Sequence, residues 1–420
     1  MHSSIGQKLQ QLLVFLSRID TISVFFKKTK ESRYSILLSC HDVDRAMIQN
    51  KINSSPLFIG LKTALQEKDI SYYELSNPFG VLKSSRVVIG SLSFNYATLL
   101  IKIYSTLLSK INKRSPLDKR VELESYLYRR VLINLKINIV FAIDPPLGLC
   151  EAARSMNIKV VELMHGNNYS MSDEIFKEKF NRHDKTLPTD IVAFDDCTFS
   201  TLNNITEGKC IRTHNSINPW HNYCEDIVPV GNLNGEFKRK ILVSLQWGYD
   251  GEREPLSNIL DNGVIHSCLI KLIKNHDEMM FCIRLHPIQL IRPWYKKHRQ
   301  LIFELSNMYE NVEIEYASSA PLNILLKAVD LHITMSSSCT GEASNQGVPT
   351  LLLCPTLHED GTNYGLFREL YSENSTLVEF GFLQYALIED WVNTTDKKPR
   401  KDILCTKKEL APFYLDICEL

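Results

Sequence analysis

Two runs in the second half of the chain carry residue types suited to holding an anion. Arg284-Leu285-His286-Pro287 follows the apolar stretch 279–283, and Ser336-Ser337-Ser338 follows the apolar stretch 331–335. Proline after His286 ends a strand and fixes the histidine's backbone where that strand stops. An imidazole there can donate to a phosphate oxygen, and its cation would stabilise a departing nucleotide phosphate. Arg284, two residues earlier, falls on the same side by strand alternation. The serine run precedes Gly341-Glu342-Ala343. Hydroxyls plus unpaired amides at a helix start make an anion site, and Glu342 suits ribose hydroxyls. The competing account makes His286 a plain loop residue and the serines an N-capping cluster with a capping-type acid. Two such strand ends recurring in one sheet favour the ligand. The expected cargo is a nucleotide-linked phosphate carrying a sugar. Gly347-Val348-Pro349 reads as a helix-to-strand turn of architectural value.

The first half holds a counterpart. A strand over 159–163 runs into His165-Gly166-Asn167-Asn168-Tyr169. Glycine lets the backbone turn sharply or approach a ligand closely. Asn167, Asn168 and Tyr169 suit sugar hydroxyls; an ordinary turn is an equal account of His165. Cys40-His41-Asp42 is a weaker case of the same kind. Asp195-Asp196 reads as a cap or surface pair, since neighbours on a strand point oppositely. Gly248 and Gly251 flex a loop after the strand 240–245. His266, His276, His298 and His332 read as surface or satisfied core residues. The chain has no GxxxxGK[ST], GxGxxG or HExxH run and no Cys/His metal spacing.

These runs need strand ends to carry them. Apolar or β-branched stretches at 34–39, 71–75, 137–143, 159–163 and 190–194 predict strands. Helices are expected at 57–66, 121–135 and 147–156, and the mixed stretch 87–103 continues as a helix. The alternation indicates a parallel sheet covered on both faces. It restarts with strands at 240–245, 279–285, 312–316, 331–334 and 350–354. Helices are expected between them at 257–274, 294–306, 320–328 and 341–346. The stretch 213–226 has no clear period and reads as the approach to a linker near residue 230. The expected fold is α/β: two Rossmann-like domains, 1–230 and 231–405, with parallel sheets facing a central cleft. A terminal helix, 406–420, would return to the first domain.

Composition sets outer limits. The chain has 420 residues, and Lys plus Arg equals Asp plus Glu at 48 each. Two domains suit that length, and zero net charge argues against a dedicated nucleic-acid binder. Eleven cysteines, several inside apolar runs, look like reduced thiols of a cytoplasmic protein. Residues 9–19 are amphipathic and too short to span a bilayer. The basic runs 26–30 and 397–401 suit a solvated face or peripheral contact with an anionic inner-membrane surface.

Taken together, His165-Gly166, His286-Pro287 and Ser336-Ser337-Ser338 resemble bacterial glycosyltransferases of the GT-B fold that assemble surface polysaccharides. The layout looks most like the retaining β-Kdo transferases of capsule and O-antigen or lipopolysaccharide synthesis. The resemblance implies a CMP-activated acidic keto-sugar as donor. Its nucleotide would be held by Arg284, His286, Pro287, Ser336, Ser337, Ser338 and Glu342. A glycan or lipid-linked glycan acceptor would lie against Gly166, Asn167, Asn168 and Tyr169. No metal or other cofactor is implied. Retention by double displacement needs a carboxylate nucleophile. The linker position offers Asn232 instead. Either the nucleophile is elsewhere, with Glu162, Asp195 and Asp250 as candidates beside His165, or Asn232 is a crippling departure. The rival readings are a CMP-sialic-acid transferase, a CDP-glycerol glycerophosphotransferase, a nucleotide-sugar 2-epimerase and a non-catalytic glycan-binding subunit.

Overall fold

The computed structural model describes residues 20–25, 35–40, 47–49, 52–76, 91–112, 115–164, 166, 169–171, 174–216, 218, 233, 235–246, 260, 263–291, 295–361, 363–367, 377–379 and 385–399. These fall into two compact units. One takes in the described residues of 20–164 and 174–218, the other those of 166–171 and 233–399.

The first unit opens with β1 (Ser35–Cys40), a small antiparallel hairpin of β2 (Met47–Gln49) and β3 (Ile52–Ser54), α1 (Pro56–Glu67) and β4 (Ser71–Ser76). Helices α2 (Asn95–Asn112) and α3 (Pro116–Asn134) follow, then β5 (Ile137–Ala142), α4 (Leu147–Ser155) and β6 (Lys159–Leu163). The unit closes with α5 (Glu174–Phe180), β7 (Asp190–Ala193), α6 (Asp196–Ile205) and β8 (Arg212–Asn215). Its sheet runs β4-β1-β5-β6-β7-β8, every pair parallel. All four residues of β7 are buried, as are the last four of β5 and of β6. Such unbroken burial is what a parallel sheet covered on both faces requires. Tyr128, Val131 and Leu132 of α3 pack with Leu37, Val140 and Ala153 in the main core.

The second unit contains β9 (Arg239–Ser244), α7 (Ser267–Asn275), β10 (Met279–Arg284), α8 (Pro287–Ile291), α9 (Lys296–Met308) and β11 (Val312–Glu313). It continues with α10 (Glu315–Ser319), α11 (Leu322–Ala328), β12 (Leu331–Thr334), α12 (Cys339–Asn345), β13 (Thr350–Leu352), β14 (Leu377–Glu379) and α13 (Tyr385–Thr394). The sheet runs β11-β10-β9-β12-β13-β14, again all parallel. Ile241, Val243, Phe281 and Ile333 fill one face, and Leu242, Cys282, Leu325 and Ala343 fill the other. The two-sheet α/β architecture matches the expectation from the strand pattern.

Some elements differ. The stretch 213–226 contains β8 at its start, an edge strand whose polar residues hide the signal. The expected strand 312–316 stops after Glu313, because that carboxylate accepts from the Tyr316 and Ala317 amides, at 2.6 and 2.8 Å, and caps α10. Lys397, in a run expected to suit a membrane surface, donates to the carbonyls of Leu326, Lys327 and Val329 at the end of α11. The linker near residue 230, the loop 247–251, the basic run 26–30, the amphipathic run 9–19 and the terminal run 406–420 lie outside the described residues.

Candidate functional site

Counted within its unit, the second sheet has strand order 3-2-1-4-5-6, so the chain reverses direction across the sheet between β9 and β12. In open α/β sheets ligands bind outside the carboxyl ends at that reversal. Both sequence motifs are carried there. Ser244 of β9 pairs in register with Arg284 on one side and Thr334 on the other. Hence the Arg284–Pro287 run leaves β10, and the Ser336–Ser338 run leaves β12, on either side of the end of β9. Two strand spacings separate them, roughly 10 Å.

A hydrogen-bond lattice joins these three ends. The Ser336 amide donates to the Gln246 side-chain carbonyl just past β9. Gln289, fully buried, accepts from the His286 amide at 2.9 Å and reaches toward the Gln246 carbonyl at 3.4 Å. The His286 ring accepts from the Ile288 amide at Nδ1, 3.1 Å away. In the neutral ring this leaves the proton on Nε2, so the ring presents a donor rather than a base there. His183 and His266 cap their helices in the same way. The capping role of His286 is therefore a habit of this chain.

Arg284 donates to the carbonyls of Ala317 and Ala320, closing the end of α10. Burial lowers its pKa, and the nearby Cys339 and Glu342 oppose that. Arg284 and Glu342 thus share one electrostatic environment, while the guanidinium serves backbone carbonyls. At the serine run, the Ser337 hydroxyl accepts from the Cys339 amide at 3.3 Å, and its carbonyl accepts from the Thr340 hydroxyl at 2.7 Å. Ser338 is exposed and makes no cap bond with its side chain. Pro287 starts α8, as a first-turn proline should.

The first sheet, counted without its hairpin, runs 2-1-3-4-5-6, with the reversal between β1 and β5. Asp144 follows β5 at a φ of 50°, the left-handed region. The positive-φ residues Asp69, Lys136 and Asn157 each follow a helix, where that conformation is usual; Asp144 follows a strand. Lys179 of α5 reaches over this edge. Its ammonium pairs with Glu162 on β6 and lies 3.5 Å from Asp144. Glu162 is 1 % exposed, and its second oxygen has no hydrogen-bond partner among the described residues. Asp144 is 45 % exposed at its side chain. Burial opposes the charge on Lys179, but the two carboxylates outweigh it and raise its pKa. Nearby Cys150 is buried, and both burial and the Glu162 charge push its thiol up.

Glu162 thus sits at a sheet edge with a cation the sequence reading missed. Lys179 lies 17 positions along on another element, with no local pattern to announce it. His165, Asn167, Asn168 and Asn232 lie outside the described residues. Gly166 and Tyr169 are close neighbours: a Cβ on Gly166 would come within 2.6 Å of the tyrosine hydroxyl. Asp195 is a helix cap, accepting from the Thr198 amide at 2.8 Å and its hydroxyl at 2.7 Å. No group of three or more His, Cys, Asp or Glu side chains suited to a metal occurs among the described residues.

No family model and no curated protein matches this chain. Solved structures do. UDP-N-acetylglucosamine 2-epimerase from Rickettsia bellii superposes with a TM-score of 0.52 at 16% identity, covering 92% of this chain and 96% of its own. The Methanocaldococcus jannaschii UDP-GlcNAc 2-epimerase, solved in complex with UDP-GlcNAc and UDP, gives 0.53 at 14% identity, covering 92% and 99%. A putative UDP-N-acetylglucosamine 2-epimerase from Listeria monocytogenes gives 0.53 at 13% identity, covering 92% and 97%. At such identities the likeness is one of fold, and it spans both sheets: the chain has the two-sheet α/β fold of the GT-B type.

Proposed function

We propose that this chain acts on a nucleotide-linked sugar and inverts a stereocentre on it, as a nucleotide-sugar 2-epimerase does. The observation that carries the reading is the Asp144–Lys179–Glu162 cluster. Inverting a carbon that bears hydrogen needs one group to take a proton and another to return it from the opposite face. The half-exposed Asp144 carboxylate suits one of those two roles, and the Lys179 ammonium 3.5 Å away supports its charge. Glu162, buried behind it, holds the Lys179 ammonium in place. The nucleotide belongs to the second unit, at the ends of β9, β10 and β12. There the His286 Nε2–H and the Ser336–Ser338 hydroxyls suit phosphate oxygens, and Glu342 suits ribose. The solved structures of similar fold support this: they are UDP-GlcNAc 2-epimerases, one of them in complex with UDP-GlcNAc and UDP.

Transfer of a CMP-activated keto-sugar, the reading the motifs first suggest, would use the same nucleotide edge. It draws less support, since the solved structures of similar fold named above are UDP-GlcNAc 2-epimerases. The test is a reaction with no acceptor present. UDP-N-acetylglucosamine in D2O should yield its 2-epimer, with deuterium at the inverted carbon by proton NMR. Asp144→Asn should slow this by about 10²- to 10⁴-fold, the usual weight of a positioned proton donor or acceptor. Failure to convert any UDP-sugar, with CMP released from a CMP-sugar once a glycan is added, would replace epimerisation by transfer.

A further inference from the structure

Among the described residues, three histidines cap helices through Nδ1, but they are not built alike. His183 accepts from the Lys185 amide at 3.4 Å, His266 from the Cys268 amide at 3.0 Å and His286 from the Ile288 amide at 3.1 Å. Three residues past the cap stands Thr186 after His183 and Leu269 after His266. After His286 it is Gln289, whose side-chain carbonyl accepts from the His286 amide at 2.9 Å. That is a reciprocal capping box, with histidine in the place of serine or threonine. Gln289 is fully buried, whereas His286 is partly exposed. Arg299 of α9 donates to the Gln289 carbonyl and so fixes its backbone as well. The Gln289 carboxamide nitrogen faces the Gln246 main-chain carbonyl at 3.4 Å, and the Gln246 side-chain oxygen accepts from the Ser336 amide. A backbone N–H can only donate, so both carboxamides have their orientation set.

A cap needs none of these additions, as His183 and His266 show. The additional bonds run sideways across the sheet, from the end of β10 through the end of β9 to the end of β12. We propose that Gln289 and Gln246 are positioning residues for the nucleotide phosphate. Gln289 holds the His286 backbone, and with it a ring that keeps Nδ1 on the cap and Nε2–H for the ligand. Gln246 holds the Ser336 backbone, where the serine run begins. Together they set the separation of two donor groups that reach one anion from either side of β9. That separation matters because a hydrogen bond weakens steeply once its angle is lost, and a binding group is only as well placed as the residues that support it. Neither glutamine needs to touch the ligand. The inference rests on the nucleotide placement proposed above, and it names residues that act on binding through others.

The test is calorimetric binding to the full chain, with UDP set against uridine and CMP against cytidine. Gln289→Met keeps an unbranched buried side chain and removes the acceptor for the His286 amide. Gln246→Ala removes the tie to Ser336 at a partly exposed position, and carries the test if methionine disturbs the core around residue 289. Each variant should weaken the nucleotide about tenfold or more, the effect of losing one hydrogen bond to a charged group. The matching nucleoside should bind as it does to the parent, whereas a general loosening of the fold would weaken both alike. His183→Ala removes a histidine cap in the other unit and should bind UDP as the parent does. One measurement needs no variant: nitrogen NMR of the labelled ring should find the His286 proton on Nε2, with Nδ1 bare. The proposal fails if that proton sits on Nδ1, if either folded variant binds the nucleotide as tightly as the parent, or if nucleoside and nucleotide lose affinity together. A parent that binds neither UDP nor CMP removes the nucleotide placement and this proposal with it. A parent that binds, with variants that bind equally well, removes this proposal alone.

Discussion

His332 shows how far a residue's type is from its role. In sequence it is one of several scattered histidines. In the structure it is fully buried in β12, between the Ser244 hydroxyl at 2.9 Å and the Thr350 hydroxyl at 3.1 Å. Burial pushes its pKa down to about 3. The sign of the consequence is fixed. Above the unfolded value near 6.5 both states are neutral and nothing is lost. As pH falls below that, the unfolded chain takes a proton that the folded chain refuses until about pH 3. Stability then declines by about 1.4 kcal/mol per pH unit, or roughly 2 kcal/mol by pH 5. His276 acts oppositely. Burial opposes its charge, but Glu278 and Glu389 outweigh that and raise its pKa, so its contribution is lost as pH rises. The comparison must therefore be between variants. His332→Gln should flatten the difference in urea midpoint between pH 7 and pH 5, and parallel curves for parent and variant would refute the assignment. The residue types at the candidate site were legible in the same limited sense. His286 and Ser337 stand at strand ends as expected, but their hydrogen bonds to helix amides follow from three-dimensional spacing that no run of letters records.

Elements were legible where burial is continuous. The strands expected at 159–163 and 331–334 fall on β6 and β12 because both are apolar runs bounded by turns. The polar edge strand β8 was not legible, nor was α13, whose place depends on distant contacts: Arg239 donates to the carbonyl of Asn393 at 3.0 Å. The turn at 347–349 was expected to be architectural, and its geometry says why. Gly347 has a φ of 69°, and a Cβ there would lie 2.3 Å from the Lys398 carbonyl oxygen. The Lys398 amide also donates to the Gly347 carbonyl at 2.9 Å, so the segment after α13 is laced against this turn. Gly208 is the natural control, with a φ of 75° and nothing within 4 Å of an added Cβ. Gly208→Ala should cost only the left-handed strain, about 1 to 2 kcal/mol. Gly347→Ala must also displace backbone and should cost clearly more in urea unfolding. Equal losses would mean that residues 395–399 do not depend on that turn.

At the scale of the whole chain, two parallel sheets of different strand order share one sequence. Alternation of apolar runs made both sheets legible, since a covered parallel sheet leaves that mark. The reversal points were not legible, because strand order is set by long-range pairing: β9 joins β10 and β12, which lie on opposite sides of it. That order yields a prediction about where a nucleotide acts. A ligand that binds only the folded form stabilises it, by about 2.7 kcal/mol at a hundredfold excess over its dissociation constant. The stabilisation is felt first where local opening would release the ligand. Under such a load of UDP, amide hydrogen exchange should slow in peptides ending β9, β10 and β12, that is 241–246, 281–290 and 333–342. Peptides at the amino ends of the same strands should change little, although they share the sheet and its hydrogen bonds. Arg239 and Lys240 at the start of β9 provide that internal reference. Protection spread evenly along β9 would indicate general tightening, and protection at its amino end alone would put the nucleotide on the wrong edge of the sheet.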